Sequence, residues 1–159
     1  MAIDEQRFKR TMGLIPAGIS VITLVDAEGA AYGMTASAVT PLSLRPPMLL
    51  VCVDDDAAIR RTIASAGFFG VSLLAADQSD VATRFADRTR HRFAPGEPYD
   101  VGPAEVPLVP GALAHIECRR AEIFQGGDHA IVCGLIEWSE TREGRPLVYW
   151  RGTWGPLPG

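Results

Sequence analysis

Apolar positions along this chain fall mostly into short β-branched or alternating runs, and into a helical stripe in only three places. The first stripe follows Asp4, a helix-capping residue, and sets Phe8, Met12 and Ile15 along one side. "GISVITLV" is a strand and "DAEG" a turn, and "AAYGMTASAVT" reads as one or two further strands interrupted at Gly33. "PPMLLVCV" is a buried strand whose two prolines precede the ladder. "DDDAAIRRTIASAG" predicts a helix begun by Asp and ended by Gly67. "FFGVSLL" is the next strand, and "ADQSDVATRFAD" a short helix capped by Asp77.

Residues 87 to 110 have no period and carry five prolines, a long connection of the kind that serves as a lid or lies under a partner. Alternation returns in "GALAHIECRRAEIF", where Ala112, Ala114, Ile116 and Cys118 face one way and Leu113, His115, Glu117 and Arg119 the other. The phase slips after Arg119 and Arg120, which predicts a bulge. "GGDH" turns into "AIVCGLIEWS", and "REGRP" into a last strand, "LVYWRG". Seven or so strands joined by tight turns, with two or three short helices inserted, make a small and mostly antiparallel barrel.

The 159 residues suit one domain, 1–159, able to bury a core without disulfides or metal. The apolar share of 47% and charged share of 21% are those of a soluble globule. A net charge of −4 argues against nucleic-acid binding, which needs a basic face. Cys52, Cys118 and Cys133 sit singly in apolar runs and read as reduced core thiols of a cytoplasmic protein. The charged start lacks a signal-peptide apolar core, and no apolar run reaches the ~18 residues of a membrane helix. Phosphate-loop, dinucleotide and serine-elbow glycine motifs are absent. His91, His115 and His129 lack metal-ligand spacing, so no metal site is expected.

Three features carry candidate chemistry. Thr35, Ser37, Thr40 and Ser43 crowd hydroxyls into a strand-like stretch, and Thr35 and Ser37 share a face. They are either ordinary strand formers facing solvent or cross-strand neighbours, or donors to an oxygen-rich ligand such as a ribityl-phosphate tail. "TRFADRTRHRF" holds four arginines. Arg88 and Arg90 read as a solvated face. Arg84, at a helix end, is the candidate anion partner, and Thr62 could add a hydroxyl. In "GGDH", Asp128 can orient the imidazole of His129, which is otherwise a surface residue on a glycine turn.

Together with "PAGISVIT", "GMTASAVTPLSLRPPMLLVCV", "FFGVSLL", "VATRFA", "PGALAHIEC", "GGDHAIVCG" and "RPLVYWRG", these features resemble the flavin reductase family of the FMN-binding split barrel. The resemblance covers about Phe8 to Trp154 and implies a mainly β fold, a split barrel with short inserted helices. It implies an NAD(P)H:flavin oxidoreductase that passes hydride from NADH or NADPH to FMN or FAD. Reduced flavin would go to a partner monooxygenase, and the protein would be a homodimer with flavin near the interface. It assigns Thr35, Ala36 and Ser37 to flavin, Thr62, Arg84 and Phe85 to the phosphate and ribityl regions, and His129 and Tyr149 to the nicotinamide side, with His129 the catalytic candidate. Two other readings fit the same barrel: a flavoprotein that retains FMN and feeds another acceptor, and a non-catalytic flavin- or haem-binding module.

Overall fold

The computed structural model describes residues 1–89 and 91–156. In chain order its elements are α1 (Glu5–Met12), β1 (Ala17–Gly18), β2 (Ser20–Val25), β3 (Ala31–Ala36), β4 (Val39–Leu44), β5 (Pro47–Asp54), α2 (Ile59–Ser65) and β6 (Phe68–Leu73). There follow α3 (Ser79–Ala86), β7 (Asp100–Val101), β8 (Pro107–Leu108), β9 (Ala114–Gly126), β10 (His129–Thr141), β11 (Leu147–Trp150) and β12 (Thr153–Pro156). Among the described residues no helix is long and apolar enough to cross a membrane.

Seven strands form one antiparallel sheet in the order β3-β2-β6-β9-β10-β5-β4. Laid flat, strands spaced ~4.8 Å apart would separate β3 from β4 by roughly 29 Å. Yet these two edge strands are joined only by Ser37–Ala38, and three Cα steps span at most ~11 Å. The sheet therefore rolls until its edges meet, and the junction is the split of a split barrel. Inside it pack Ile22, Leu24, Val51, Val53, Phe69, Val71 and Val132. α3 lies against the outer face of β2 and β3, where Val21, Ala82, Phe85 and Leu147 form a second cluster. Buried on both faces, β2 is apolar except for Ser20 and Thr23. A smaller sheet, β1-β11-β12, flanks the barrel.

The slip after Arg120 is a bulge. Arg120 pairs with Gly134 and Ile123 with Val132, so Ala121 and Glu122 together face Cys133. Several expectations are corrected. β3 runs through Gly33 without interruption and ends at Ala36. Gly33 is instead needed because the Phe85 ring lies where its Cβ would be. No aspartate caps α2 or α3: Ala58 and Gln78 hold the N-cap positions without a side-chain bond to the helix, and Ala66 rather than Gly67 follows the last turn of α2. Asp54 spends its carboxylate on the Asp56 amide in a tight turn before α2. Asp4 does cap α1, accepting from Arg7 N at 2.8 Å.

The 87–110 connection is no loose lid. β7 and β8 pair, Val106, Leu108 and Val109 are buried, and the backbone amides of Gly102 and Ala104 donate to the buried Glu117 carboxylate. His115 and Glu117, on the polar side of the β9 alternation, are thereby buried as well. The stripe on α1 has the opposite fate: Phe8, Met12 and Ile15 stay 54%, 42% and 58% exposed.

Candidate functional site

Two concavities adjoin the split. The smaller, about 220 Å³, lies between β3, the turn before α2 and the end of α3. Gly33, Thr35, Asp54, Phe85, Arg88 and His91 line it. The larger, about 870 Å³, is an open cleft walled by α1, Ser37, Ala38, Tyr149 and Arg151. Thr35 and Ser37 are two residues apart, about 7 Å of strand, so one extended ligand can touch both.

β3 is a sheet edge. Residues 91–93 pair with its first half, Gly33 N donating to His91 O at 2.7 Å and Phe93 N to Ala31 O at 3.1 Å. Strand alternation puts the Thr35 amide on the same edge, beyond the point where this pairing stops. The Thr35 hydroxyl donates to Ala82 O at 2.7 Å, tying β3 to α3. Ala36 is buried, while Ser37 is exposed and its hydroxyl makes no hydrogen bond among the described residues. Thr62, half-buried, sits one turn beyond the cavity-lining Ile59 on α2.

The candidate residues do not all converge. Thr35 and Phe85 line the small cavity, and Ser37 and Tyr149 the large cleft. Arg84 lines neither. Both oxygens of Glu97 bind its guanidinium, Nη2 at 2.7 Å from Oε2, and Nη2 also donates to Arg92 O at 3.1 Å. The same guanidinium lies 4.6 Å over the Phe85 ring. That bond to Arg84 holds the Glu97 carboxyl below the usual carboxylate range, with the Ala94 amide assisting and burial opposing. Phe85 is a packing residue as well as a lining one, 5.0 Å from Phe93 between ring centroids.

His129 opens β10 opposite Asp54 of β5. Its Nδ1 lies 2.8 Å from Asp128 Oδ1. A carboxylate can only accept, so Nδ1 carries the hydrogen and Nε2 is left for a ligand. The His129 bond keeps the Asp128 carboxyl below its usual range. Gln125 donates to Asp55 Oδ2 at 2.6 Å and Asp55 N to Asp128 O at 3.0 Å, stitching the His129 turn to the turn before α2. Tyr149 packs 6.3 Å from Trp154, on the far side of the split from this turn. Tyr149 lines the large cleft, whereas His129 lines neither concavity.

Sequence reasoning missed Asp54, Arg88 and His91. Arg88, read there as solvated, donates to Asp54 Oδ2 at 2.9 Å and lines the small cavity. The visible signal was the run Asp54-Asp55-Asp56 directly after a buried strand. Arg90 lies outside the described residues. All three cysteines are free, and burial pushes the Cys118 thiol up to about 12.

A hydroxyl-edged cleft with one apolar wall, adjoining a small polar cavity, suits a flat ring carrying a polyol tail. Known proteins point the same way. The family model described as flavin reductase like domain matches residues 12–158. The reductase subunit HsaB of a flavin-dependent monooxygenase from Rhodococcus jostii (strain RHA1) is 36% identical over 152 residues, covering 95% of this chain and 77% of that protein. A flavin reductase (NADH) from Kitasatospora aureofaciens is 34% identical over 160 residues, covering 98% and 83%. The crystal structure of BorF, the flavin reductase component of a bacterial two-component tryptophan halogenase, superposes with a TM-score of 0.90 at 35% identity, covering 98% of this chain and 99% of that one. The chain belongs to the flavin reductase family.

Proposed function

We propose that the chain is an NADH-dependent flavin reductase that reduces FMN or FAD and hands the product to a partner monooxygenase in the cytoplasm. The observation that carries this reading is the placement of two concavities at Thr35 and Ser37, two residues apart, which offers one elongated ligand a polar seat and an open apolar one. NADH rather than NADPH is the donor that the name of the Kitasatospora relative specifies, and a monooxygenase is what HsaB serves.

Flavin, when bound, supplies the ring that accepts a hydride from the reduced nicotinamide. This chain's residues position and select. The Thr35 amide and the Ser37 hydroxyl are donors at the ring edge and the head of the tail, with the Ala36 backbone between them. Thr62 and the Thr35 lone pairs face the ribityl chain, over a floor made by Phe85. Arg84 supports that floor from behind through its clasp with Glu97. The ring of Tyr149 gives the nicotinamide an apolar wall, and Nε2 of His129 is a hydrogen-bonding group for the carboxamide. Because Tyr149 lines the large cleft and His129 opens β10 opposite Asp54, outside that cleft, the reading joins them across a homodimer. The uncovered stripe of Phe8, Met12 and Ile15 along the large cleft supports such a partner.

The test is oxidation of NADH followed at its absorbance maximum with and without added FMN, FAD or riboflavin. Flavin-dependent turnover is expected, and the same slow rate with every flavin and with none would overturn the proposal. His129→Ala is expected to lower turnover about tenfold or more while thermal unfolding stays as in the parent. Unchanged steady-state kinetics would remove His129 from the mechanism.

A further inference from the structure

Arg88 in the small cavity is held by Asp54, and Arg60 and Arg84 nearby are held by Asp55 and Glu97. At the large cleft Lys9 is likewise held by Glu5. Arg10 and Arg151 differ. Both line that cleft, together with Ser37 and Tyr149, and neither has a carboxylate within ion-pair distance among the described residues.

Arg151 also stands where the local backbone does not favour it. A two-residue turn, Arg151-Gly152, joins β11 to β12 between the paired Trp150 and Thr153. Both turn residues have positive φ, 51° for Arg151 and 86° for Gly152. A hairpin turn of this mirror-image kind selects asparagine, aspartate or glycine at its first position, and a long side chain there carries left-handed strain with no local hydrogen bond to offset it. The turn is fixed in place by Arg151 N, which donates to Gly13 O at 2.9 Å just beyond α1. The guanidinium carbon lies 4.6 Å over the exposed Trp150 ring. A guanidinium seated on a ring face still presents its N–H edge to an anion.

Tyr149, two residues before Arg151, is the wall that the proposed function gives to the nicotinamide. In a nicotinamide dinucleotide the diphosphate follows that ring after one ribose. FAD carries the same diphosphate beyond its ribityl chain, whereas FMN and riboflavin lack it. Resting on that functional reading, we infer that Arg151, with Arg10 on the last turn of α1, binds the diphosphate of a dinucleotide lying in the large cleft. The chemistry is common to NADH and FAD, and binding measurements separate the two sources.

The experiment is calorimetric titration of the purified protein with NADH, FAD, FMN and riboflavin, each alone, in the parent and in Arg151→Asn. Asparagine suits the turn, so this variant is expected to unfold at the parental temperature or above it. Its Kd for NADH, for FAD or for both is expected to rise about tenfold or more, while FMN and riboflavin stay within about twofold. A rise for NADH alone assigns the site to the nicotinamide dinucleotide, and a rise for FAD alone to the flavin dinucleotide. The affected Kd is expected to weaken between roughly 0.05 M and 0.5 M salt more in the parent than in the variant. Arg10→Gln is expected to move the same ligand in the same direction by a smaller factor, and it takes the place of Arg151→Asn should that variant not fold. Parental Kd values for both dinucleotides overturn the inference. So does an equal loss for FMN, which marks a monophosphate seat, or an equal loss for riboflavin. Unmoved dinucleotide Kd values with flavin-dependent NADH oxidation intact refute this inference only. Failure of NADH and of every flavin to bind the parent refutes the functional reading and this inference together.

Discussion

Gly33→Ala tests how the floor of the small cavity is built. A Cβ on Gly33 would lie 2.5 Å from Phe85 Cε1 and 2.6 Å from Cδ1, closer than real carbon contacts come. The ring can retreat only toward the small cavity. It is 3% exposed, with Phe93 5.0 Å away and the Arg84 guanidinium 4.6 Å over its face. Overpacking a closed site of this kind costs about 1–3 kcal/mol. Loss of glycine freedom in the unfolded chain offsets about 0.4–1 kcal/mol. The net expectation is destabilisation by about 1–2 kcal/mol, a fall in Tm of about 2–8 °C for a chain of this length. Thermal and urea unfolding at one fixed protein concentration measure it, since association would shift both.

A second variant separates this cause from a general strand effect. Phe85→Leu removes the atoms that the new Cβ strikes, so the double variant should be more stable than the two single losses added together, by about 1 kcal/mol. Flavin affinity should follow the same pattern, because the displaced ring can move only toward the cavity. Gly33→Ala with parental Tm and parental flavin Kd would refute this account of the floor. Strict additivity with Phe85→Leu would show that the contact is not the cause.

Two further outcomes follow from one buried and one half-buried carboxylate. Glu117 is 1% exposed and accepts from Gly102 N at 3.1 Å and Ala104 N at 2.8 Å. Glu117→Gln turns an amide NH₂ toward a backbone donor and should cost about 1–3 kcal/mol, read as a lower urea midpoint together with faster protease nicking at 100–106. Glu97 has its folded pKa depressed by Arg84, so its contribution is complete above the ordinary glutamate range and is lost as pH falls through the depressed value. Stability measured from neutral pH down through pH ~3 should therefore fall less steeply in Glu97→Gln than in the parent; parallel acid limbs would contradict the sign.

The strands were legible because burial enforces a period of two. Even the β9 bulge showed, as a slip after Arg119–Arg120. What sequence could not show was which face a loop would later cover. His115 and Glu117 alternate as an outward pair, yet the 100–109 segment lies over them and converts Glu117 into its anchor. Gly33 looked like a break, because the Phe85 ring that demands it comes 52 positions later in the chain. Arginine assignment failed for a related reason. Arg84 and Arg88 are four residues apart, and only the fold decides that Glu97 reaches the first and Asp54 the second. Of the four hydroxyls in the 35–43 stretch, Thr35 ties β3 to α3 through Ala82 O and Ser43 accepts from Arg45 N, uses that depend on partners the sequence does not reveal.

The site lies where it does because a rolled sheet must begin and end somewhere. Edge strands leave amides and carbonyls unpaired, and proteins usually cover them. Here residues 91–93 cover β3 only as far as Gly33. The clasp between Arg84 and Glu97, together with Arg92 donating to Tyr32 at 2.5 Å, fixes where that cover stops. Among the described residues nothing pairs with the edge from Thr35 onward, at the point where the chain crosses through Ser37 to the opposite edge strand. A ligand with donors and acceptors along its length can complete that edge as a strand would. On the function proposed above, Arg84 acts at one remove: its charge goes to Glu97, and the clasp borders the opening offered to the ligand.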